Sequence, residues 1–551
     1  MVYRTHLTVL EQSAALYSSA PAFRIPRLSP TGAVDEWDSI SYSQFLLDVQ
    51  RFARHWASVL SSHNLPRRSI VGLWLGGTTY LDVLHVYGIA RAGYIPQLFS
   101  LRLPSPDVVY ELLHRAGAQA LIFDPAFESI VVDCAIPAEL ALDARSIDVS
   151  DKPLPPIWTP SNGDDVVMIY HTSGSTSGSP KLVPCTADWV NATVDKAARV
   201  TSPRRSGRRD VTVWIGSMSH IGQTFMLMGF LQHGACTVQP SQLPFPSSEL
   251  LDMVHRCGLN RLNQFASFLG AHLRAARTDG KLLAALQSLD ELLYTGLALG
   301  VDEETWAREK GILIKNCFGS TEVGAMLLSV GGRGLDANQL QAIEGTDYTF
   351  VPASPSPAAS PTSPTTPSPV DETKYTDANS RLLELVILPS SGDCPHPSLR
   401  APDGLYRTGD LFLEVAPGRY VSRGRDDDWI KSANALRCDT RAVEDNVRAT
   451  CADLVGACIV VGNGRPSPAL FVEPKAADAE SEVERLKAAV LRRTRHFHSR
   501  RYMHERIVDP ALVFVVSPGT LPRTATKGNI RRRAVEEQFR AQLDQAYGAG
   551  C

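Results

Sequence analysis

Short apolar runs of strand length alternate, along the first half of the chain, with stretches whose apolar residues recur at helical spacing. Residues 69–75, Ser-Ile-Val-Gly-Leu-Trp-Leu, form one such run. Residues 80–92 follow with the spacing of a helix, and Gly93 stands where a helix C-cap is expected. A second pair is 111–116, read as helix, and 120–123, Ala-Leu-Ile-Phe, read as strand. Repeated alternation of this kind predicts parallel sheets with helices packed on their faces. Further apolar runs at 166–169, 312–314 and 382–388 predict more strands.

Between 351 and 370 the chain is almost wholly Pro, Ser, Thr and Ala. It has too little apolar surface to offset the entropy of ordering, which predicts a flexible surface loop over 350–371. From about 424 the texture changes again. A helix at 440–449, strands at 457–461 and 469–472, a helix around 481–493 and a final helix over 530–547 suffice for a compact α+β domain. The expected class is therefore α/β, with a large N-terminal domain of layered sheets and helices over 1–423 and a small C-terminal domain over 424–551.

Composition adds little beyond this. The 551 residues are 44% hydrophobic and 21% charged, with a formal net charge of -3, so the length calls for two domains and the balance gives no reason to expect nucleic acid as a partner. No apolar run reaches membrane-spanning length and no secretory segment opens the chain, so a cytoplasmic protein without a membrane span is expected. Ten scattered cysteines, with no Cys-x-x-Cys pair, read as reduced and mostly buried thiols. The basic clusters at 204–209 and 492–506 read as solvated surface.

The chemistry lies in five segments. Tyr170-His171-Thr172-Ser173-Gly174-Ser175-Thr176-Ser177-Gly178-Ser179-Pro180-Lys181 follows the apolar run at 166–169. Small residues let backbone N–H groups approach phosphate oxygens, hydroxyls add donors and a lysine adds charge. Alone, such a stretch reads as well as a linker, and Pro180 excludes a Walker A loop. Asn316-Cys317-Phe318-Gly319-Ser320-Thr321-Glu322 comes next, placed after the strand at 312–314. Then come Tyr406-Arg407-Thr408-Gly409-Asp410, Gly424-Arg425-Asp426-Asp427-Asp428-Trp429-Ile430-Lys431, and Leu521-Pro522-Arg523-Thr524-Ala525-Thr526-Lys527-Gly528.

In order and spacing these five resemble the core motifs of the adenylate-forming (AMP-binding) superfamily, which includes acyl-CoA synthetases and peptide-synthetase adenylation domains. Residues 426–431, 438–440, 464–470 and the Lys527-Gly528 order are more similar to fungal synthetase-like and aminoadipate-reductase-type adenylation domains. The resemblance implies ATP-dependent activation of a carboxylic acid to an acyl-adenylate, with pyrophosphate released, then transfer to a pantetheine thiol of CoA or of a carrier domain or protein. It implies ATP and Mg2+ as cofactors. Thr172, Ser173, Gly174, Ser175, Thr176, Gly178 and Lys181 would hold the phosphates. Glu322, with Thr176, would bind Mg2+, a hard cation suited to oxygen ligands. Asn316, Phe318 and Gly319, with Gly296, Leu297 and Ala298, would form the adenine site, Phe318 packing on the base. Asp410 would accept the ribose hydroxyls, and Arg425 would reach the ribose or a phosphate. Thr321, Glu322, His220 and Lys527 are the catalytic candidates, and Asp427 is the hinge about which a mobile C-terminal domain would turn. Taken singly, Glu322 and Asp410 read as well as surface carboxylates; the ordered set favours the functional reading.

Three departures matter. Ser177 is one residue more than the usual phosphate loop carries. Ser432-Ala433-Asn434 replaces the glycine-rich turn that follows the hinge lysine, which puts the thiol step in question. Ser217-Met218-Ser219-His220-Ile221-Gly222 places a histidine where amino-acid-activating relatives place an aspartate, so an aliphatic, aryl or α-keto acid is expected, with a structural histidine as the alternative. Tyr294 is expected in the pocket wall. The rival function is a non-catalytic adenylate-binding protein derived from this family.

Overall fold

The computed structural model describes residues 2–100, 106–172, 181–334, 336–353, 382–426, 429–431, 437–475, 480–499, 501, 505–523 and 528–548. The chain forms two compact units, one of residues 1–348, 387–406 and 416–420, the other of 349–386, 407–415 and 421–551.

The first unit holds two sheets. In the smaller, the strands Ala138–Leu140, Ala120–Phe123, Ile70–Trp74, Ile95–Phe99, β1 (Val166–Thr172) and β2 (Lys181–Thr186) lie side by side in that order. All its pairs are parallel except β1 with β2, where Thr172 stands opposite Lys181. The predicted helix at 80–92 is Tyr80–Arg91, capped by Thr79 and Asp82, which bond each other's backbone N–H, and Gly93 follows at φ +95°. The helix read at 111–116 starts earlier, at Pro106.

Helix α1 (Ala187–Val200) leads to the larger sheet, whose central strands are β3 (Val211–Val213), β4 (Arg261–Phe265), β5 (Glu291–Thr295), β6 (Ile314–Ser320) and β7 (Gly324–Ser329). Strands β3 to β6 are parallel neighbours, and β7 returns antiparallel to β6. The sequence ended the strand before β6 at 314 and left Asn316 to Ser320 outside it. Instead these residues belong to the strand, paired with β5 through Cys317 and with β7 through Ser320. Backbone pairing on both sides, not apolar periodicity, makes them extended.

Buried charge fastens the starts of these strands. Arg261 is wholly buried and donates to Asp210 (3.0 Å) and Glu291 (2.6 Å). Arg204 reaches Glu291 at 2.5 Å and Arg205 reaches Asp290 at 2.6 Å. The arginines read from sequence as a solvated loop therefore spend their tips on two buried carboxylates. Burial pushes the Glu291 carboxyl up, but Arg261, Arg204 and Lys315 outweigh it and hold it below the usual value.

The second unit has its own core of Ile430, Val443, Val447, Val460, Phe471, Val513 and their neighbours. Its strands Val455–Val461, Ala469–Pro474 and Val513–Val515 form one sheet, with Phe471 stacked on Phe514 at 4.6 Å. The predicted final helix is broken at Phe539 into Arg532–Gln538 and Arg540–Ala546. Phe539 is 8% exposed and packs on Phe471 at 4.9 Å, so the break serves the core. Among the described residues no helix is long and apolar enough to cross a membrane, no three metal-ligating side chains cluster, and every cysteine but Cys134 is buried.

Two histidines of the first core carry a pH dependence. His6 is 1% exposed, and neither ring nitrogen has a hydrogen-bond partner; His85 is equally buried. Burial pushes His6 down to about 4 and His85 down to about 3 from an ordinary 6.5. Both are neutral when folded and gain a proton on unfolding below about 6.5, so their contribution to stability is complete above that value and lost as the pH falls. The thermal midpoint should drop between pH 7 and pH 5 in a scanning-fluorimetry series. His6→Leu removes one orphaned polar group, worth about 1–3 kcal/mol, and should flatten that drop; an equal drop in the variant would clear His6 of the effect.

Candidate active site

Parallel β3 to β6 bring their carboxyl ends to one edge, the edge at which open α/β sheets bind ligands. There the chain places residues 216–220 beyond β3, Phe265 at the end of β4, Thr295 to Ala298 at the end of β5, and Phe318 to Glu322 at the end of β6.

Residues after β6 supply one carboxylate. Glu322 is half-buried, and its side chain makes no hydrogen bond or ion pair with any described residue. Its backbone is held firmly: the Trp189 indole N–H donates to the Glu322 carbonyl at 3.0 Å, and Lys196 donates to the carbonyls of Val323 (2.9 Å) and Ala325 (2.7 Å). Lys196 also pairs with Asp393 at 2.5 Å, both side chains being nearly inaccessible. Asn316 N–H donates to the Ser329 hydroxyl at 2.9 Å, and Phe318 and Thr321 are half-buried nearby in the chain. Gly319 lies against β7, where an added Cβ would press into the Gly324 carbonyl oxygen. A carboxylate unengaged by any described residue fits Mg2+, which keeps most of its waters and takes other ligands from phosphates.

His220 is the N-cap of helix α2 (Ile221–Gln232): its Nδ1 accepts the Gly222 N–H at 3.1 Å, and its ring meets Phe265 edge-on at 4.9 Å. Phe265 also fills the space beside two glycines. A Cβ on Gly216 would come within 2.8 Å of its ring, and one on Gly296, at φ +88°, within 3.1 Å. Gly296, Leu297 and Ala298 form an exposed turn, Leu297 being 63% exposed. Tyr294 was expected in the pocket wall. Its side chain, 3% exposed, instead packs in the core with Leu262, Leu292 and Leu299, because alternate residues of a strand face opposite ways. Thr295 takes the site-side position, donating to the Cys317 carbonyl at 2.7 Å.

At the end of β1, His171 is locked. Its Nδ1–H donates to the Leu98 carbonyl (2.9 Å), its Nε2 accepts the Gln97 amide (3.1 Å), and its ring stacks on Phe99 at 4.5 Å. Burial pushes the imidazole down to about 4, so it is neutral and its tautomer is set by Leu98. Half-buried Thr172 ends β1, and exposed Lys181 starts β2 opposite it. Ser173, Gly174, Ser175, Thr176 and Gly178, like Asp427 and Lys527, lie outside the described residues.

The second unit holds Asp410 and Arg425. Asp410 is 7% exposed on the strand β8 (Tyr406–Ala416), and Arg425, ending β9 (Arg419–Arg425), reaches its Oδ1 at 3.4 Å. The Asp410 N–H donates to the Thr408 hydroxyl (3.0 Å), which donates to the Leu385 carbonyl (2.8 Å). Gly409 sits between them at φ +71°, a conformation that disfavours other residues.

Sequence reasoning missed Trp189, Lys196, Phe265 and His171. The available signal for Lys196 was a charge inside an apolar helical stripe, Trp189, Val190, Val194, Ala197 and Val200. Phe265 had no signal, since its neighbours His220, Gly216 and Gly296 come from two segments distant in the chain.

Comparison with known proteins gives a consistent picture. The family model described as AMP-binding enzyme matches residues 10–377, and that described as AMP-binding enzyme C-terminal domain matches 427–550. The AMP-binding domain-containing enzyme iboA of Amanita muscaria (strain Koide BX008) is 36% identical over 94% of this chain and 98% of its own length. The non-canonical non-ribosomal peptide synthetase ascB of Acremonium egyptiacum is 22% identical over 93% of this chain, which spans 45% of that protein. The o-succinylbenzoate CoA synthetase of Bacillus subtilis, bound to its acyl-adenylate intermediate, superposes with a TM-score of 0.72 at 16% identity, covering 97% of this chain and 99% of the synthetase. The same synthetase with ATP and a magnesium ion gives 0.71 at 16% identity, over 96% and 99%.

Gly319→Ala tests the coupling of β6 to β7. The added methyl must push the strands apart, so the thermal midpoint should fall by an amount corresponding to about 2 kcal/mol or more, and nucleotide binding should weaken with it. An unchanged midpoint would show that the two strands can separate freely at this point.

Proposed function

The chain belongs to the AMP-binding enzyme family and is an adenylate-forming enzyme that activates a carboxylic acid as its acyl-adenylate; from that premise we propose an aliphatic, aryl or α-keto acid as substrate and a pantetheine thiol, of CoA or a carrier protein, as acceptor. The observation that supports this reading best is the carboxyl edge of the larger sheet, which gathers Phe318, Thr321, a Glu322 carboxylate that no described residue engages, and His220 against Phe265.

In the first half-reaction an oxygen of the substrate carboxylate attacks the α-phosphorus of ATP, and the bond to the bridging oxygen of pyrophosphate breaks. The residues from Thr172 to Lys181 orient the leaving phosphates. Glu322, with Thr176, would hold the divalent cation, and Mg2+ would supply neutralisation of the phosphate charge. Phe318 packs on adenine, and Asp410, steadied by Arg425, accepts the ribose hydroxyls. Lys527 steadies the charge that builds on the carboxylate and α-phosphate as they join.

His220 supports the proposed substrate class. An imidazole is neutral or cationic, and its Nδ1 already accepts the Gly222 N–H, so the residue gives a substrate ammonium group no negative charge to pair with. An α-amino acid would meet no carboxylate at this position, and a buried ammonium left without one costs several kcal/mol. In the second half-reaction the C-terminal domain, residues 424–551, turns about Asp427 and exchanges Lys527 for a path that admits the thiol.

ATP–pyrophosphate exchange, run without thiol across fatty, aryl, α-keto and amino acids, tests the reading. Exchange with one of the first three classes is expected; exchange confined to amino acids would overturn the substrate assignment. Lys527→Ala should lower exchange by about 10²–10³-fold while ATP still binds. An undiminished rate would remove Lys527 from the mechanism.

A further inference from the structure

One helix grips the turn that carries Glu322. Helix α1 begins where β2 ends, and β2 begins at Lys181, so a short uninterrupted path runs from the phosphate-loop end of the chain into this helix. Trp189 and Lys196 are seven residues apart on α1, hence on one face, two turns from each other. Both reach the same target. Trp189 holds the carbonyl of Glu322 itself, and Lys196 holds the carbonyls of Val323 and Ala325.

The grip is built to be rigid. Lys196 and Asp393 have side chains 3% and 1% exposed, and a charge that deep persists only with its hydrogen bonds filled. Asp393 is in turn held by the Ser391 hydroxyl at 2.5 Å and by the Tyr348 hydroxyl. The ammonium group therefore has three fixed acceptors: Asp393, the Val323 carbonyl on the turn and the Ala325 carbonyl at the start of β7. The two carbonyls that fill the remaining donors of Lys196 bracket Gly324, two residues after Glu322, so satisfying the buried charge also fixes the chain that leaves Glu322. The carbonyls of the turn are tied down while the Glu322 carboxylate is left unengaged by every described residue. A held backbone beneath that carboxylate sets where the side chain starts while leaving its oxygens available to an ion.

We infer that Trp189 and Lys196 are positioning residues for the divalent cation: through them helix α1 fixes the Glu322 carboxylate relative to the strand that ends the phosphate loop, so that cation and phosphates are presented in register. The inference rests on the reading of Glu322 as the cation ligand.

Nucleotide binding tests it without any need of turnover. The affinity of the full chain for ATP is measured by calorimetry with EDTA and again with Mg2+, and the ratio of the two is the readout. Trp189→Phe keeps a ring in the core and deletes only the N–H donor. It should leave metal-free ATP binding within about 2-fold and reduce the tightening by Mg2+ by about 3- to 10-fold, the size of one hydrogen bond. Lys196→Met combined with Asp393→Asn removes both buried charges together, which protects the fold, and should reduce the Mg2+ effect further. A folded Trp189→Phe variant with the wild-type Mg2+ effect, or one that shifts only the thermal midpoint, overturns the inference. Glu322→Gln separates this from failure of the underlying reading: if its Mg2+ effect equals that of the wild type, Glu322 is not the ligand and both readings fall together.

Discussion

Four neighbouring strands that all run the same way decide where charge can go in the first unit. Parallel strands need crossover helices, so both faces of the sheet are covered and only its two edges of strand ends are open to polar groups. At the amino ends the open positions are used for structure: Arg261, Asp210, Asp290 and Glu291 form a buried, mutually neutralised network that arginines 204 and 205 complete from outside. At the carboxyl ends the corresponding positions hold glycines, Phe265, Thr295 and a Glu322 carboxylate that no described residue engages. The same topology thus gives one edge that is electrostatically satisfied and one that is left for a ligand.

The energetic logic of the two edges differs. Removing one partner from a buried ion pair costs about 3–5 kcal/mol, because the other charge stays behind without water. Arg261 and Lys196 are each bound by that penalty into a single geometry, with little freedom to slip register. Burial pulls the Lys196 ammonium below its ordinary value while Asp393 pulls it back up, and its two carbonyl acceptors favour the charged form. Such pairs add less to net stability than to uniqueness. Here uniqueness means a Glu322 turn with one position.

The second unit solves a similar problem with backbone conformation. Asp410 must sit low enough in its strand to be almost buried and still be reached by Arg425. Gly409, in the left-handed region, turns the strand so that both conditions hold, and the Thr408 hydroxyl ties the bend to the neighbouring strand. The small core around Phe471 and Phe514 belongs to this unit alone, and the helix break at Phe539 shows the chain giving up helical continuity to fill it.

The alternation of strands and helices was legible in the chain alone, because apolar periodicity reports which face of an element meets a core. The ordered motifs were legible too, because phosphate, metal and ribose contacts call for particular side chains in a particular order. Sequence reasoning placed residues 316–320 outside a strand, since pairing on both sides leaves no periodic trace. It also read arginines 204 and 205 as solvated, since the carboxylates they meet are more than eighty residues away in the chain. Only the tertiary structure decided that Trp189 and Lys196 hold the Glu322 turn and that Phe265 closes on His220. Those contacts join elements distant in sequence, and an isolated Trp, Lys or Phe in an amphipathic stretch looks the same whether it fills a core or sets a site.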